Sequence, residues 1–184
     1  MNFNFVQNLN KGKAFVYGDD INTDVLAPGA YLKYSPEKMS KHCLESIDPD
    51  FVSNVKPGDI VVGGKNFGVG SSREQAAASL VILGVRYVVA KSFARIFYRN
   101  AFNLGLTPLI CEDYRKINNN DILEINSKEG KIKNLTQNCE YNTNSVPDHL
   151  LKIVNAGGLL AELKNKIENN TLKTLRFRKD NWIR

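Results

Sequence analysis

Ile60-Val61-Val62-Gly63-Gly64-Lys65-Asn66-Phe67-Gly68-Val69-Gly70-Ser71-Ser72-Arg73-Glu74 is the stretch from which the rest of the chain can be read. Its apolar opening, Ile60-Val61-Val62, reads as a buried strand, and Gln75 to Leu83 is a run of helix-formers. Ser71 and Glu74 stand at the S-x-x-E spacing of a capping box, which predicts a helix beginning at Ser71. Glycines ahead of a helix let the backbone turn tightly and bring its N–H groups close to a ligand. First-turn N–H groups are unpaired and carry partial positive charge, and Arg73 adds a full one, so the turn suits an anion. A glycine-rich turn between strand and helix can equally serve only to turn a corner, and the local pattern leaves both roles open. Neither familiar nucleotide loop is present. No Lys follows Gly70 as a phosphate loop requires, and Arg73 occupies the third glycine position of a dinucleotide loop.

Beyond the turn, Val85 to Ala90 reads as a β-branched strand. Ser92 to Leu104 reads as an amphipathic helix, with Ser92 as N-cap, apolar Phe93, Ile96, Phe97, Ala101 and Leu104, and Gly105 ending it. Leu106 to Cys111 is the next strand. The alternation of strands and helices over residues 59–111 predicts parallel strands joined by crossover helices, an α/β fold. Before the turn, Lys13 to Tyr17 reads as a strand and Gly18-Asp19-Asp20 as a turn. Ile21 to Gly29 reads as a loop, bent by side-chain bonds to its own backbone or aiming Thr23 or Asp24 at a neighbouring site. Tyr31 to Ser35 leads into a helix from Pro36 to Leu44 with proline in its first turn, and Pro49 and Pro57 flank an irregular connection. After Asp121, Ile122–Ile125 and Lys131–Lys133 form a hairpin, the Asn-rich residues 134–144 a loop, and Asp148–Asn155 and Leu159–Ile167 two helices split by Gly157-Gly158.

A chain of 184 residues with 42% hydrophobic and 24% charged residues is expected to form one soluble domain, here residues 1–168, followed by a basic tail, 169–184. No apolar run approaches the ~20 residues of a membrane helix, and the N-terminus lacks a basic flank followed by an apolar segment. The cytoplasm is the expected location. The net charge of +6 is concentrated in the tail, where Lys173, Arg176, Arg178, Lys179 and Arg184 face only Asp180. The body has no Lys/Arg stripe interleaved with aromatics, so nucleic-acid binding is not expected. Cys43, Cys111 and Cys139 include no C-x-x-C pair, which argues against a zinc or self-contained iron–sulfur site and for free structural thiols. His42 and His149 lie in polar contexts and read as surface residues.

Three stretches together, Tyr17 to Asp24, Asn66 to Ala77 and Ala90 to Phe97, resemble the small subunits of 3-isopropylmalate dehydratase, separate-chain equivalents of the swivelling domain of aconitase. The resemblance covers roughly residues 13–167, and G-x-G-S-S-R-E followed by K-S-F-A-R-I is its specific part. It implies a three-layer β/β/α fold and a large-subunit partner whose three cysteines hold a [4Fe–4S] cluster. It also implies no cofactor in this chain and an active site at the subunit interface. Carried over by position, Ser71 is the general base, Ser72 and Arg73 bind substrate carboxylate, and Asp24 corresponds to an acidic residue that supports the site; Asp24, Thr23 and Gly70 are expected among the substrate-binding residues with Ser72 and Arg73.

The implied reaction, in leucine biosynthesis, moves a hydroxyl between adjacent carbons of isopropylmalate by loss and readdition of water, with the cluster as Lewis acid. A serine oxygen serves as base only as an alkoxide, stabilised by nearby N–H groups and a cation such as Arg73. Arg73 can also clamp a carboxylate through two parallel hydrogen bonds. Where the aconitase segment resembling Gly29–Ser35 ends in an arginine for a third carboxylate, this chain has Ser35, which favours a dicarboxylate with an apolar branch. Tyr31, Leu32 and Tyr34 either line a pocket for that branch or are core residues of a loop, and Lys33 keeps a further carboxylate possible. Rival substrates are citraconate and methylmalate, 2,3-dimethylmalate and homoaconitate. A rival of another class is a non-catalytic anion-binding scaffold, against which the set Gly70-Ser71-Ser72-Arg73 speaks. Small subunits associating with one another is a further possibility.

Overall fold

The structure is a computed structural model that describes residues 10–168, so the expected basic tail at 169–184 lies outside the described residues. Among the described residues, seven strands form one sheet in the order β4-β3-β2-β1-β5-β6-β7. They are β1 (Lys11–Val16), β2 (Ile60–Gly63), β3 (Tyr87–Ala90), β4 (Thr107–Ile110), β5 (Ile122–Asn126), β6 (Lys131–Asn134) and β7 (Cys139–Asn142). Strands β1 to β4 are parallel neighbours, as the alternating pattern predicts, and β5 to β7 are antiparallel. β1 is the joint between these halves. Ala14–Val16 pair with Ile60–Val62 in parallel, while Lys11–Lys13 pair with Ile122–Glu124 in antiparallel.

The period of two along the buried strands sorts their side chains into two cores. Val61, Val88 and Ala90 face Ala76, Ala77 and Leu80 of α4 (Glu74–Ile82) and Phe97 of α5 (Arg95–Leu104). Ile60, Val62, Tyr87 and Val89 face the other way, onto Leu123, Ile125, Ile132 and Tyr141 of the antiparallel strands, which curl across them. Helices, parallel strands and antiparallel ribbon are thus stacked as the expected β/β/α layers. Phe102 of α5 and Val154 of α6 (Asp148–Asn155) close the second core, and α7 (Leu159–Glu168) follows.

Several local expectations are overturned. Helix α4 begins at Glu74, capped by Arg73 without a side-chain bond, so the capping box at Ser71 does not form. The amide of Ser71 is instead taken by the Thr23 hydroxyl, a tertiary partner that outcompetes the local one. α5 likewise begins at Arg95, and the hydroxyl of Ser92 accepts the Asn66 N–H rather than capping the helix. Residues 21–29 fold into a helical turn, α1 (Thr23–Leu26), because Asn22 caps it by accepting the N–H groups of Asp24 and Val25. α2 (Pro36–Ser40) stops short of Leu44 and gives way to turns, and α3 (Phe51–Asn54) lies between the two prolines. The Asn-rich segment is no mere loop, since β7 pairs with β6 and brings Tyr141 opposite buried Ile132. Buried Asn134 builds the intervening turn, accepting the N–H groups of Thr136 and Gln137 while donating to Asp121 at 2.7 Å. Beside β4, the Asn144 side chain accepts the Ile110 N–H at 2.6 Å, and the Asn144 N–H reaches the Ile110 carbonyl at 3.2 Å.

Candidate active site

The loops leaving the carboxyl ends of β1, β2 and β3 meet on one side of the parallel strands, the usual place for a ligand in an α/β sheet. Backbone bonds stitch the first two together. Gly64 N–H reaches the Gly18 carbonyl (2.9 Å), Asp20 N–H the Lys65 carbonyl (2.8 Å), Gly68 N–H the Ile21 carbonyl (2.7 Å) and Thr23 N–H the Val69 carbonyl (2.8 Å). Such close approach requires glycine at two positions. At Gly68 (φ +77°) a Cβ would lie 2.2 Å from the buried Phe97 ring, and at Gly70 (φ +122°) it would lie 2.6 Å from Thr23 Oγ1.

Ser71 emerges from this turn exposed to solvent, as does Ser72. Its N–H donates to Thr23 Oγ1 at 3.0 Å, and its own Oγ lies 3.2 Å from the same oxygen. Thr23 is 1% exposed, so the pair is held from the interior side. Because Thr23 Oγ1 accepts the amide, its hydroxyl proton is free to point at Ser71 Oγ, where it would stabilise a serine alkoxide. Arg73 uses Nη1 to bond both the Asp24 carboxylate and the Ala27 carbonyl, the latter at 3.2 Å. Nε and Nη2, the other edge of the guanidinium, are then the donors suited to an incoming carboxylate. A Cβ at Gly29 would lie 3.7 Å from both Arg73 Nη2 and the Asp24 carboxylate, so the 29–35 loop begins against this ion pair. The expected residues Thr23, Asp24, Gly70, Ser71 and Arg73 are therefore brought together, with Ser72 next to them.

A hollow of about 560 Å³ opens beside the serine, lined by Gly68 to Ser71 and by Ala94, Arg95, Ile96 and Arg99. Arg95 and Arg99 are exposed and four residues apart, so they sit on one face of α5. They make this hollow cationic and were given no role from sequence. The available signal was their i,i+4 spacing on a helix that starts beside the glycine turn.

Beyond Tyr31, which packs against the first core, the 29–35 loop is not core. Leu32 is 40% and Tyr34 54% exposed, and Lys33 and Ser35 are exposed too. Ser35 also has a structural task, capping α2 by accepting the Lys38 N–H at 3.4 Å. Tyr31 is half-buried under the ring of His42, which is thus no mere surface residue.

Among the described residues, no group of three or more His, Cys, Asp and Glu could hold a metal ion, and this chain's donors do not fit an iron–sulfur cluster. Cys43 and Cys111 are buried, and burial pushes both thiols up, away from the thiolate a cluster needs. No described helix is long and apolar enough to cross a membrane.

A β/β/α domain presenting a Gly-Ser-Ser-Arg turn at its strand ends is a swivelling domain of the aconitase class. The family described as the aconitase C-terminal domain matches residues 21–114. The 3-isopropylmalate dehydratase small subunit of Halothermothrix orenii is 47% identical over 161 residues, 86% of this chain and 98% of the relative. The isopropylmalate/citramalate isomerase small subunit of Methanocaldococcus jannaschii is 44% identical over 164 residues, 88% of this chain and 98% of the relative. A crystal structure of 3-isopropylmalate dehydratase from the same organism superimposes with a TM-score of 0.83 at 41% identity, covering 89% of this chain and 98% of that one. The chain belongs to the family of 3-isopropylmalate dehydratase small subunits.

Proposed function

We propose that this chain, with a large subunit, forms a cytoplasmic hydro-lyase that interconverts 2- and 3-isopropylmalate in leucine biosynthesis. The observation that carries this reading is an exposed Ser71, braced by buried Thr23 and set between the Arg73–Asp24 pair and a cationic hollow. An iron–sulfur cluster on the large subunit would supply a Lewis acid for the departing hydroxyl. The chain's own residues do the rest. Arg73 clamps one carboxylate of the substrate, with Ser72 alongside, and the Ser71 oxygen takes the proton from the neighbouring carbon as the C–H bond breaks. That proton returns to substrate when water adds back with the opposite regiochemistry. Arg95 and Arg99 raise the local concentration of the dianion. Leu32 and Tyr34 offer apolar surface to the branch.

The test is a substrate panel on the reconstituted pair of subunits. Isopropylmalate should exceed citramalate and 2,3-dimethylmalate in kcat/KM by about tenfold or more, the discrimination a hydrophobic pocket gives for one or two carbons, and should also exceed homoaconitate, whose third carboxylate meets Ser35 rather than an arginine. Highest activity on another of these would reassign the substrate. No turnover of any would leave a scaffold role.

Thr23→Val keeps the shape of the side chain and removes its hydroxyl. Losing a hydrogen bond to a charged oxygen is expected to lower kcat by about 10- to 100-fold with little change in KM. Steady-state kinetics checks this, and an unchanged kcat would exclude Thr23 from activating the serine.

A further inference from the structure

The imidazole of His42 lies flat on the ring of Tyr31, with centroids 3.5 Å apart and planes within 8° of parallel. Its Nδ1 stands 2.6 Å from a Glu45 carboxylate oxygen, which fixes the ring's orientation. Desolvation and then the same Glu45 carboxylate raise the pKa of the Tyr31 phenol, so both rings answer to one acid. The segment carrying His42 and Glu45 is anchored from beneath. Buried Leu44 adopts φ +64° and donates its N–H to the Val25 carbonyl at 2.9 Å, and Asp48 accepts the Tyr17 hydroxyl at 2.8 Å. A leucine held in the left-handed region marks a turn that its surroundings over-determine.

On the other side of the stack, Gly29–Tyr31 form a short 3₁₀ turn, and the Tyr34 N–H reaches the Tyr31 carbonyl at 3.0 Å. Leu32, Lys33 and Tyr34 are exposed, and the loop that carries them starts at Gly29 against the Arg73–Asp24 pair. Tyr31, packed against the first core on one side and stacked with His42, is therefore the point at which the side chains of this loop are pinned. A half-exposed side-chain hydrogen bond of the His42–Glu45 kind adds little to stability, so the arrangement is better explained by placement than by folding.

We infer that His42 and Glu45 are positioning residues: His42, stacked on Tyr31 and oriented by Glu45, sets the distance of Leu32 and Tyr34 from Arg73, and with it the discrimination between large and small apolar branches on a dicarboxylate. This rests on the function proposed above. His42 touches no reacting atom and acts through Tyr31.

Two measurements test it, both on the full chain. In the complex with the large subunit, His42→Ala should raise KM for 2-isopropylmalate about three- to tenfold, the range an aromatic stack spans, while kcat holds and KM for citramalate moves less than about twofold. His42→Phe, which keeps a flat ring, should recover most of the lost KM. In the chain alone, His42→Ala should speed amide exchange at Tyr31 to Tyr34 about tenfold while the thermal midpoint stays within about 2 °C. An unchanged ratio of the two KM values overturns the proposal, whatever the exchange shows. So does a fall in kcat on both substrates in step with the thermal midpoint, the mark of a merely structural role. If the unaltered complex turns over neither substrate, the functional reading fails and takes the discrimination with it, whereas faster exchange would still show that His42 pins the loop.

Discussion

Ser71→Ala should leave an assembled but nearly inactive complex, with kcat lower by about 10²- to 10⁴-fold, the range of a lost general base. KM should change little, because the carboxylate-binding edge of Arg73 is not touched by the substitution. Assembly should survive for a structural reason: the Ser71 side chain is exposed, and its described hydrogen-bond contact is Thr23 Oγ1. The amide of residue 71 still donates to Thr23 in the variant, so the turn keeps its shape. Turnover measured beside size-exclusion of the reconstituted pair separates loss of chemistry from loss of partner. Near-native kcat in the assembled variant would mean that the proton is taken by another group.

Arg73→Ala should lower kcat/KM by about 10²- to 10³-fold, as expected when one partner of a close charge pair is truncated. Arg73→Lys should recover only a small part of this. A single ammonium cannot hold the Asp24 carboxylate and the Ala27 carbonyl on one side while offering two parallel donors on the other. The same geometry says that stability will barely move. The Asp24 side chain is 64% exposed, and an ion pair so open to water contributes little to folding. A thermal midpoint that falls steeply in Arg73→Ala would show that the pair is holding α1 against the turn instead of awaiting a substrate.

The turn and its neighbours were legible because their signals are local and agree with one another. An apolar run, a cluster of glycines and a helix-forming segment all point to one strand–turn–helix, and a second such unit follows at once. The loop reads as able to aim Thr23 or Asp24 at a neighbouring site, and the resemblance points to Asp24; the structure brings both to the serine turn through bonds between residues far apart in sequence. What escaped was decided by partners that lie far off in the chain. Ser71 carries a capping box and does not use it, because the Thr23 oxygen reaches its amide first. Residues 139–142 have few strand-formers, yet β6 supplies a ladder and the second core supplies a place for Tyr141. Such tertiary override is expected of strands, whose propensity depends on what lies opposite. Arg95 and Arg99 receive no role from sequence and His42 reads as a surface residue, because charge alone does not tell which hollow or ring a side chain will face.

β4 ends the sheet, and a terminal strand usually invites another strand to add on. Here the invitation is withdrawn. Thr107 and Cys111 direct their amides inward, to Arg86 and Ala90, so with a period of two the outward-facing residues are Pro108 and Ile110. Proline has no amide hydrogen, and that of Ile110 is already taken by Asn144. This rim offers no free donor across four residues. Two copies of the chain therefore cannot zip together here into a longer sheet, and self-association at this flank would have to proceed through side chains.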